Sequence, residues 1–287
     1  YMKRSLILTE RQLTKLVKEI GEVMTTNKIR GYSFDWDDNI LFMPTEIKME
    51  KKDGLDWVPV NVSTEDFADL RNDSDYRLTD HSFMDFAEPQ TFITDVKKAI
   101  DDKKFAPSFE KFKESLMYAN PFSIITARGT PPHAIKEGVR LLIGMTFESK
   151  DINFMLENIE KSYPSTSDMS MDEKLDFYLA QNDYSPVSSP EFKEKFGLDA
   201  DADKPEEGKK IALRDYVERV VNGAQKLTNG EYDRLSIGFS DDDRRNIEAV
   251  MDYIKKELSV EYPGVEFFIY DTSQGEKNKI IISKIDS

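Results

Sequence analysis

Asp35, Asp37 and Asp38 crowd into four positions of the run Phe34-Asp35-Trp36-Asp37-Asp38-Asn39-Ile40, directly after a short apolar stretch that reads as a buried strand. Carboxylates this close repel one another, and burying one unpaired charge costs roughly several kcal/mol. A cation resolves the conflict, and oxygen ligands alone favour a hard ion such as magnesium. Two further apolar runs end in similarly loaded residues: Phe122-Ser123-Ile124-Ile125-Thr126-Ala127-Arg128 and Leu235-Ser236-Ile237-Gly238-Phe239-Ser240-Asp241-Asp242. Open α/β sheets build their sites at the carboxyl ends of several strands. Residue types and placement together predict an enzyme.

The elements that must position these residues follow from periodicity. Thr9 and Gln12 form a capping box for a helix whose apolar stripe is Leu13, Leu16, Val17 and Ile20. Residues 41–48 and 57–62 have strand character around Asp53-Gly54, a hairpin signal, and this hairpin is expected to fold over the carboxylates as a lid. Residues 63–89 are polar, with short helical patches and no clear strand. Helical spacing returns at 92–100 and 108–117, and Pro131 and Pro132 open a helix through Ile143. Residues 147–204 read as a second insertion with helices at 152–163 and 171–181, followed by Ser-, Pro- and Asp-rich loops. Helix is expected at 206–227, strand at 235–239, helix at 244–258, and strands at 265–270 and 280–283. This alternation predicts an α/β, Rossmann-like fold with a mostly parallel central sheet flanked by helices. The organisation expected is an N-terminal helical extension over 1–28 and a core over 29–287, interrupted by a lid hairpin and insertion at 42–90 and by the second insertion at 147–204.

Composition narrows the function. The chain of 287 residues is long enough to bury a substantial core. Its net charge of -15 disfavours nucleic acid and anionic lipid, although a local metal leaves a small phosphorylated substrate open. The absence of cysteine excludes disulfides, thiol catalysis and zinc-thiolate sites, and two histidines cannot build a histidine-rich metal site. No apolar run approaches a membrane span. Lys3 and Arg4 lead into neither a long apolar stretch nor a small-residue cleavage site, so no secretory signal is expected and a cytoplasmic location is the default.

The ordered motifs carry a resemblance. Phe34-Asp35-Trp36-Asp37-Asp38-Asn39-Ile40 resembles the first motif of the haloacid dehalogenase superfamily, an Asp-x-Asp after an apolar strand. Ile124-Ile125-Thr126-Ala127-Arg128 is similar to its second motif, and Gly208-Lys209-Lys210-Ile211-Ala212-Leu213 to its third, a lysine near a helix start. Ile237-Gly238-Phe239-Ser240-Asp241-Asp242 with Asn246-Ile247 resembles the fourth, a paired aspartate. Asn39 departs from the pattern, because the family more often has threonine or valine there.

The resemblance implies a magnesium-dependent phosphomonoesterase. Asp35, the backbone carbonyl of Asp37, Asp241 and Asp242 would hold the ion. Asp35 would attack phosphorus, and Asp37 would act as general acid and then base. Thr126 and the Ala127 amide would hold phosphoryl oxygens, and Lys209 would supply positive charge, with Lys210 as the alternative. Leu213 and Val217 follow Lys209 at helical spacing, which favours Lys209. Blander roles compete at single positions: Asp241–Asp243 as an acidic helix start, Trp36 as a packing residue, Arg128 as a surface bridge or phosphate contact, and His133 as structural. A non-catalytic metal- or phosphate-binding module on the same fold is the alternative function.

Overall fold

The structure, a computed structural model, describes residues 28–199, 204–228, 232 and 234–282. The helix expected over 9–20 lies outside these residues. β1 (Lys28–Phe34), β5 (Phe122–Thr126), β6 (Asp183–Pro186), β7 (Arg234–Asp241), β8 (Val265–Asp271) and β9 (Asn278–Ile281) form one six-stranded sheet. Their order is β6-β5-β1-β7-β8-β9; all neighbours are parallel except β9, which runs antiparallel to β8. This is the α/β, Rossmann-like architecture that the alternating pattern predicts.

Helices cover both faces, which explains why the central strands read as unbroken apolar runs. All five residues of β5 are buried. Tyr32, Phe34 and Ile124 face a core built with Phe92 and Val96 of α3 (Pro89–Asp101), Phe112 of α4 (Phe109–Met117), Leu142 of α5 (Pro132–Thr146) and Met155 of α6 (Ser149–Ser162). Ile125, Ile237 and Phe239 face a second core with Leu213 and Val217 of α9 (Pro205–Thr228) and Ile247 and Val250 of α10 (Arg244–Tyr253). Adjacent residues such as Ile124 and Ile125 thus serve opposite faces, as strand alternation requires. Strand order reverses at β1, whose neighbours β5 and β7 lead to opposite edges of the sheet. A crevice at the carboxyl ends of β1 and β7 follows from that reversal.

The expected hairpin is present as β2 (Ile47–Asp53) and β3 (Asp56–Val62), with Asp53 opposite Asp56 and Gly54 at φ +64° in the tight turn. Its first strand begins at Ile47, not at Leu41. Leu41 instead makes isolated bridges with Asp37 and Phe105, which pin the chain to the site loop. Residues 63–89, read as strandless, contribute β4 (Tyr76–Leu78), antiparallel to β2. Together with α1 (Thr64–Leu70) and α2 (Met84–Ala87), these strands form a cap with its own small core of Ile47, Met49, Val62 and Phe86. β4 is too short and too exposed at Leu78 to leave a period-two signal.

The segment read as a second insertion, 147–204, carries α6, α7 (Met171–Ala180), β6 and α8 (Pro190–Phe196). β6 is an edge of the main sheet, so this segment completes the sheet in addition to decorating it. Its sequence, Asp183-Tyr184-Ser185-Pro186, is half-covered and lacks an apolar run. Asp183 pairs with Arg219 of α9, yet burial, set against Arg219 and aided by Asp215, pushes its carboxyl up to about 6 from 3.8. A raised carboxyl favours the fold below about pH 4, and that contribution is lost as pH rises through about 6. Asp183→Asn should therefore gain up to about 2–3 kcal/mol relative to wild type between about pH 4 and pH 7, read from urea midpoints. Among the described residues no helix is long and apolar enough to cross a membrane.

Candidate functional site

β1 and β7 run side by side in register, Ser33 opposite Phe239 and Phe34 opposite Ser240. The next residues, Asp35 and Asp241, therefore emerge at the same end of the sheet. The Asp35 amide donates to the Ser240 carbonyl at 2.9 Å. Asp241 is fully buried, Asp35 is buried and Asp242 is half-buried. One carboxylate oxygen from each of these three lies within 4.8 Å of the other two.

Lys209 enters this group from the first turns of α9. Its Nζ stands 2.6 Å from Asp241 Oδ2 and 3.3 Å from Asp35 Oδ1, with the side chain wholly buried. Gly208 permits the approach, since a Cβ there would lie 2.7 Å from Val187 Cβ, just past β6. Lys210 points elsewhere and bonds Glu207 Oε1 at 2.8 Å. The geometry therefore brings Lys209, not Lys210, to the carboxylates.

One ammonium shared among three carboxylates leaves negative charge in excess. Burial pushes the Asp35 carboxyl up to about 8; Lys209 opposes the rise, while Asp241 and Asp37 add to it. Burial likewise drives Asp242 well above the usual carboxylate range, reinforced by Asp241 and Asp35. Burial works against the Lys209 ammonium, but Asp241 and Asp35 outweigh it and hold the group above its ordinary value. Asp35 Oδ1 is buried and, among the described residues, receives no hydrogen bond; Lys209 reaches it as an ion pair without hydrogen-bond geometry. Asp241 Oδ1 is oriented by the Asp243 amide at 2.9 Å and by Asn246 Nδ2 at 3.1 Å. Oxygen donors, excess negative charge and a buried oxygen that receives no hydrogen bond among the described residues together fit a hard divalent cation.

No family model, no curated protein and no solved structure matches this chain. What the site can do must therefore come from its own residues.

The loop after Asp35 is held by Asn39, which is fully buried. Asn39 Nδ2 donates to the carbonyls of Asp35 at 3.1 Å and Ser240 at 3.2 Å. Its Oδ1 accepts from Ser240 Oγ at 2.9 Å and Thr272 Oγ1 at 3.0 Å. The single Thr272 hydroxyl proton is shared between Asn39 Oδ1 and the Asp241 carbonyl, which lies 2.8 Å away, and Ser108 Oγ lies 2.6 Å from Ser240 Oγ. One amide thus ties the site loop to the ends of β7 and β8, and a threonine or valine there could not make all four bonds. Sequence reading marks Asn39 only as a departure from the motif and misses Thr272 and Ser108, which no spacing signal marks. Asn39→Ala should cost about 2–3 kcal/mol, because it strands several buried polar groups, and should lower the thermal midpoint accordingly.

Asp37 sits apart from the three-carboxylate group. Arg128 holds it by a two-pronged pair, Nε to Oδ2 and Nη2 to Oδ1, both at 2.7 Å. Of the four residues expected around a metal, Asp35, Asp241 and Asp242 bring carboxylates together; the ligand expected from Asp37 is its backbone carbonyl, and its carboxylate stands outside the group. Thr126 ends β5 with its Oγ1 accepting from the Arg128 amide at 3.3 Å, and Ala127 is exposed. Asp35, Asp37, Thr126, Ala127, Lys209 and Asp242 all line one cavity of about 990 Å³. Its roof comes from Phe67 of α1 and from Phe83 and Phe86; of the hairpin strands only Ile47 takes part. The cap therefore reaches the cavity through its helical part and the first residue of its hairpin, not through the hairpin tip. Thr64 donates to Asp38, which fastens α1 to the site loop. Trp36 is fully buried against Phe92, as a packing residue, and His133 is exposed and does not line the cavity.

Proposed function

We propose that this chain is a magnesium-dependent phosphomonoesterase of the haloacid dehalogenase type, acting on a small phosphorylated substrate. The observation that carries the reading is the meeting of Asp35, Asp241 and Asp242 with Lys209 at the switch point of the sheet, beside Thr126. Asp35, Asp241 and Asp242 would hold magnesium, which when bound offsets the repulsion between a phosphate dianion and an anionic nucleophile.

The chain's own residues supply the rest. An Asp35 carboxylate oxygen attacks phosphorus, and the acyl-phosphate bond forms as the bond to the leaving oxygen breaks. Asp37 acts as general acid toward that oxygen, giving it a proton as the bond breaks. Water then attacks the same phosphorus and passes a proton to Asp37, and the bond to Asp35 breaks to release phosphate and restore the carboxylate. Thr126 and the Ala127 amide donate to phosphoryl oxygens, and Lys209 keeps the carboxylates charged and aligned.

A second reading, a metal- or phosphate-binding module without turnover, is favoured by one observation: both oxygens of Asp37 are taken up by Arg128. Phosphate release from p-nitrophenyl phosphate and a panel of alkyl phosphates, with and without magnesium, separates the two. Magnesium-dependent turnover supports the phosphatase; magnesium binding with no turnover on any ester supports the binding module.

A further inference from the structure

We propose that Arg128 is a positioning residue for Asp37, braced by Thr45 and Asp95, and that this buried relay sets where the acid-base carboxylate points. The inference rests on the phosphatase reading above and adds to it residues that no motif marks. Arg128 is 1% exposed although it lies on a loop beside a cavity. Its Nε and Nη2 grip both oxygens of Asp37 at 2.7 Å, and Nη2 also donates to Thr45 Oγ1 at 2.7 Å. Thr45, itself buried, donates onward to Asp95 Oδ2 of α3 at 2.6 Å. Phe86 and Phe92 cover the guanidinium at 4.7 and 5.1 Å.

These contacts decide between the roles the sequence allows for Arg128. A surface bridge would be exposed, and a phosphate contact would keep its fork free for the substrate. The Nε and Nη2 prongs are spent on Asp37, Nη1 is buried without a partner among the described residues, and aromatic rings flank the group. A planar two-pronged pair fixes both the rotamer and the plane of the carboxylate, which a lysine ammonium does not. Proton transfer needs the acid within hydrogen-bond reach of the leaving oxygen, and a displacement of about 1 Å can cost about a hundredfold in rate. Thr45 lies on the segment leading into β2, and Phe86 belongs to α2, so the root and underside of the cap both bear on Asp37.

The test uses the full-length protein with magnesium and compares wild type with Arg128→Lys and Thr45→Val. Two substrates are needed: p-nitrophenyl phosphate, whose phenolate leaves without a proton, and an alkyl phosphate, whose alkoxide requires one. For Arg128→Lys, kcat/KM on the alkyl phosphate should fall about 100-fold while kcat/KM on the aryl ester changes less than about threefold. Because Asp37 also activates water, the aryl ester should show a burst of nitrophenol followed by slowed turnover. Thr45→Val, which keeps every charge, should give the same pattern more weakly and stands in if Arg128→Lys does not fold. Equal losses on both substrates, or none, would overturn the positioning role. Wild-type protein inert on both esters would instead sink the phosphatase reading, and the inference with it.

Discussion

Asp35→Asn is expected to lower magnesium-dependent phosphate release by about 10⁴-fold or more, since it removes the attacking oxygen and not merely a contact. The substitution is nearly isosteric, so the loss should not come from unfolding. Asp35 is one of three carboxylates gathered within 4.8 Å, and burial already pushes it up to about 8. Replacing it with a neutral amide relieves repulsion, and the variant should melt no lower than wild type in chelator. Magnesium should raise the wild-type midpoint and leave that of Asp35→Asn nearly unmoved. Malachite-green phosphate assays and thermal melts on the same preparations give both readings. Turnover retained in a folded Asp35→Asn would reject the nucleophile.

Lys209→Ala should produce the second large effect, on stability and activity together. Its ammonium is fully buried, 2.6 Å from Asp241 and 3.3 Å from Asp35. Removing one partner of a buried ionic group leaves uncompensated charge and costs about 3–5 kcal/mol. Magnesium should recover part of that loss, because it offsets the same carboxylates. Lys210→Ala is the matched control: among the described residues its side chain bonds Glu207, so stability should change by less than about 0.5 kcal/mol and turnover should be kept. Denaturant midpoints for the two variants, with and without magnesium, decide this; equal effects at the two positions would contradict the assignment of Lys209.

The residues that end buried parallel strands were the most legible part of the sequence. Asp35, Thr126 and Asp241 each close an apolar run, and a strand covered on both faces leaves such a run whatever surrounds it. Lys209 could be preferred over Lys210 because Leu213 and Val217 share its helix face, and all three are buried. The edge strand β6 and the cap strand β4 were not legible, since a short strand with one open side or one open edge needs no apolar run. The bonds converging on Asn39 were also hidden, because they join residues distant along the chain through a single amide. For Arg128 the obstacle was different. A guanidinium at the end of an apolar run suits solvent, substrate or a buried acid equally well, and only the fork onto Asp37 between Phe86 and Phe92 distinguishes them.

The most direct measurement is acid quench of the protein within the first turnovers on p-nitrophenyl phosphate and magnesium, followed by mass mapping of its peptides. A phosphoryl group on the peptide containing Asp35, acid-stable and hydroxylamine-labile and absent from Asp35→Asn, is the result expected. Phosphate release without any phosphorylation of Asp35 would contradict the account.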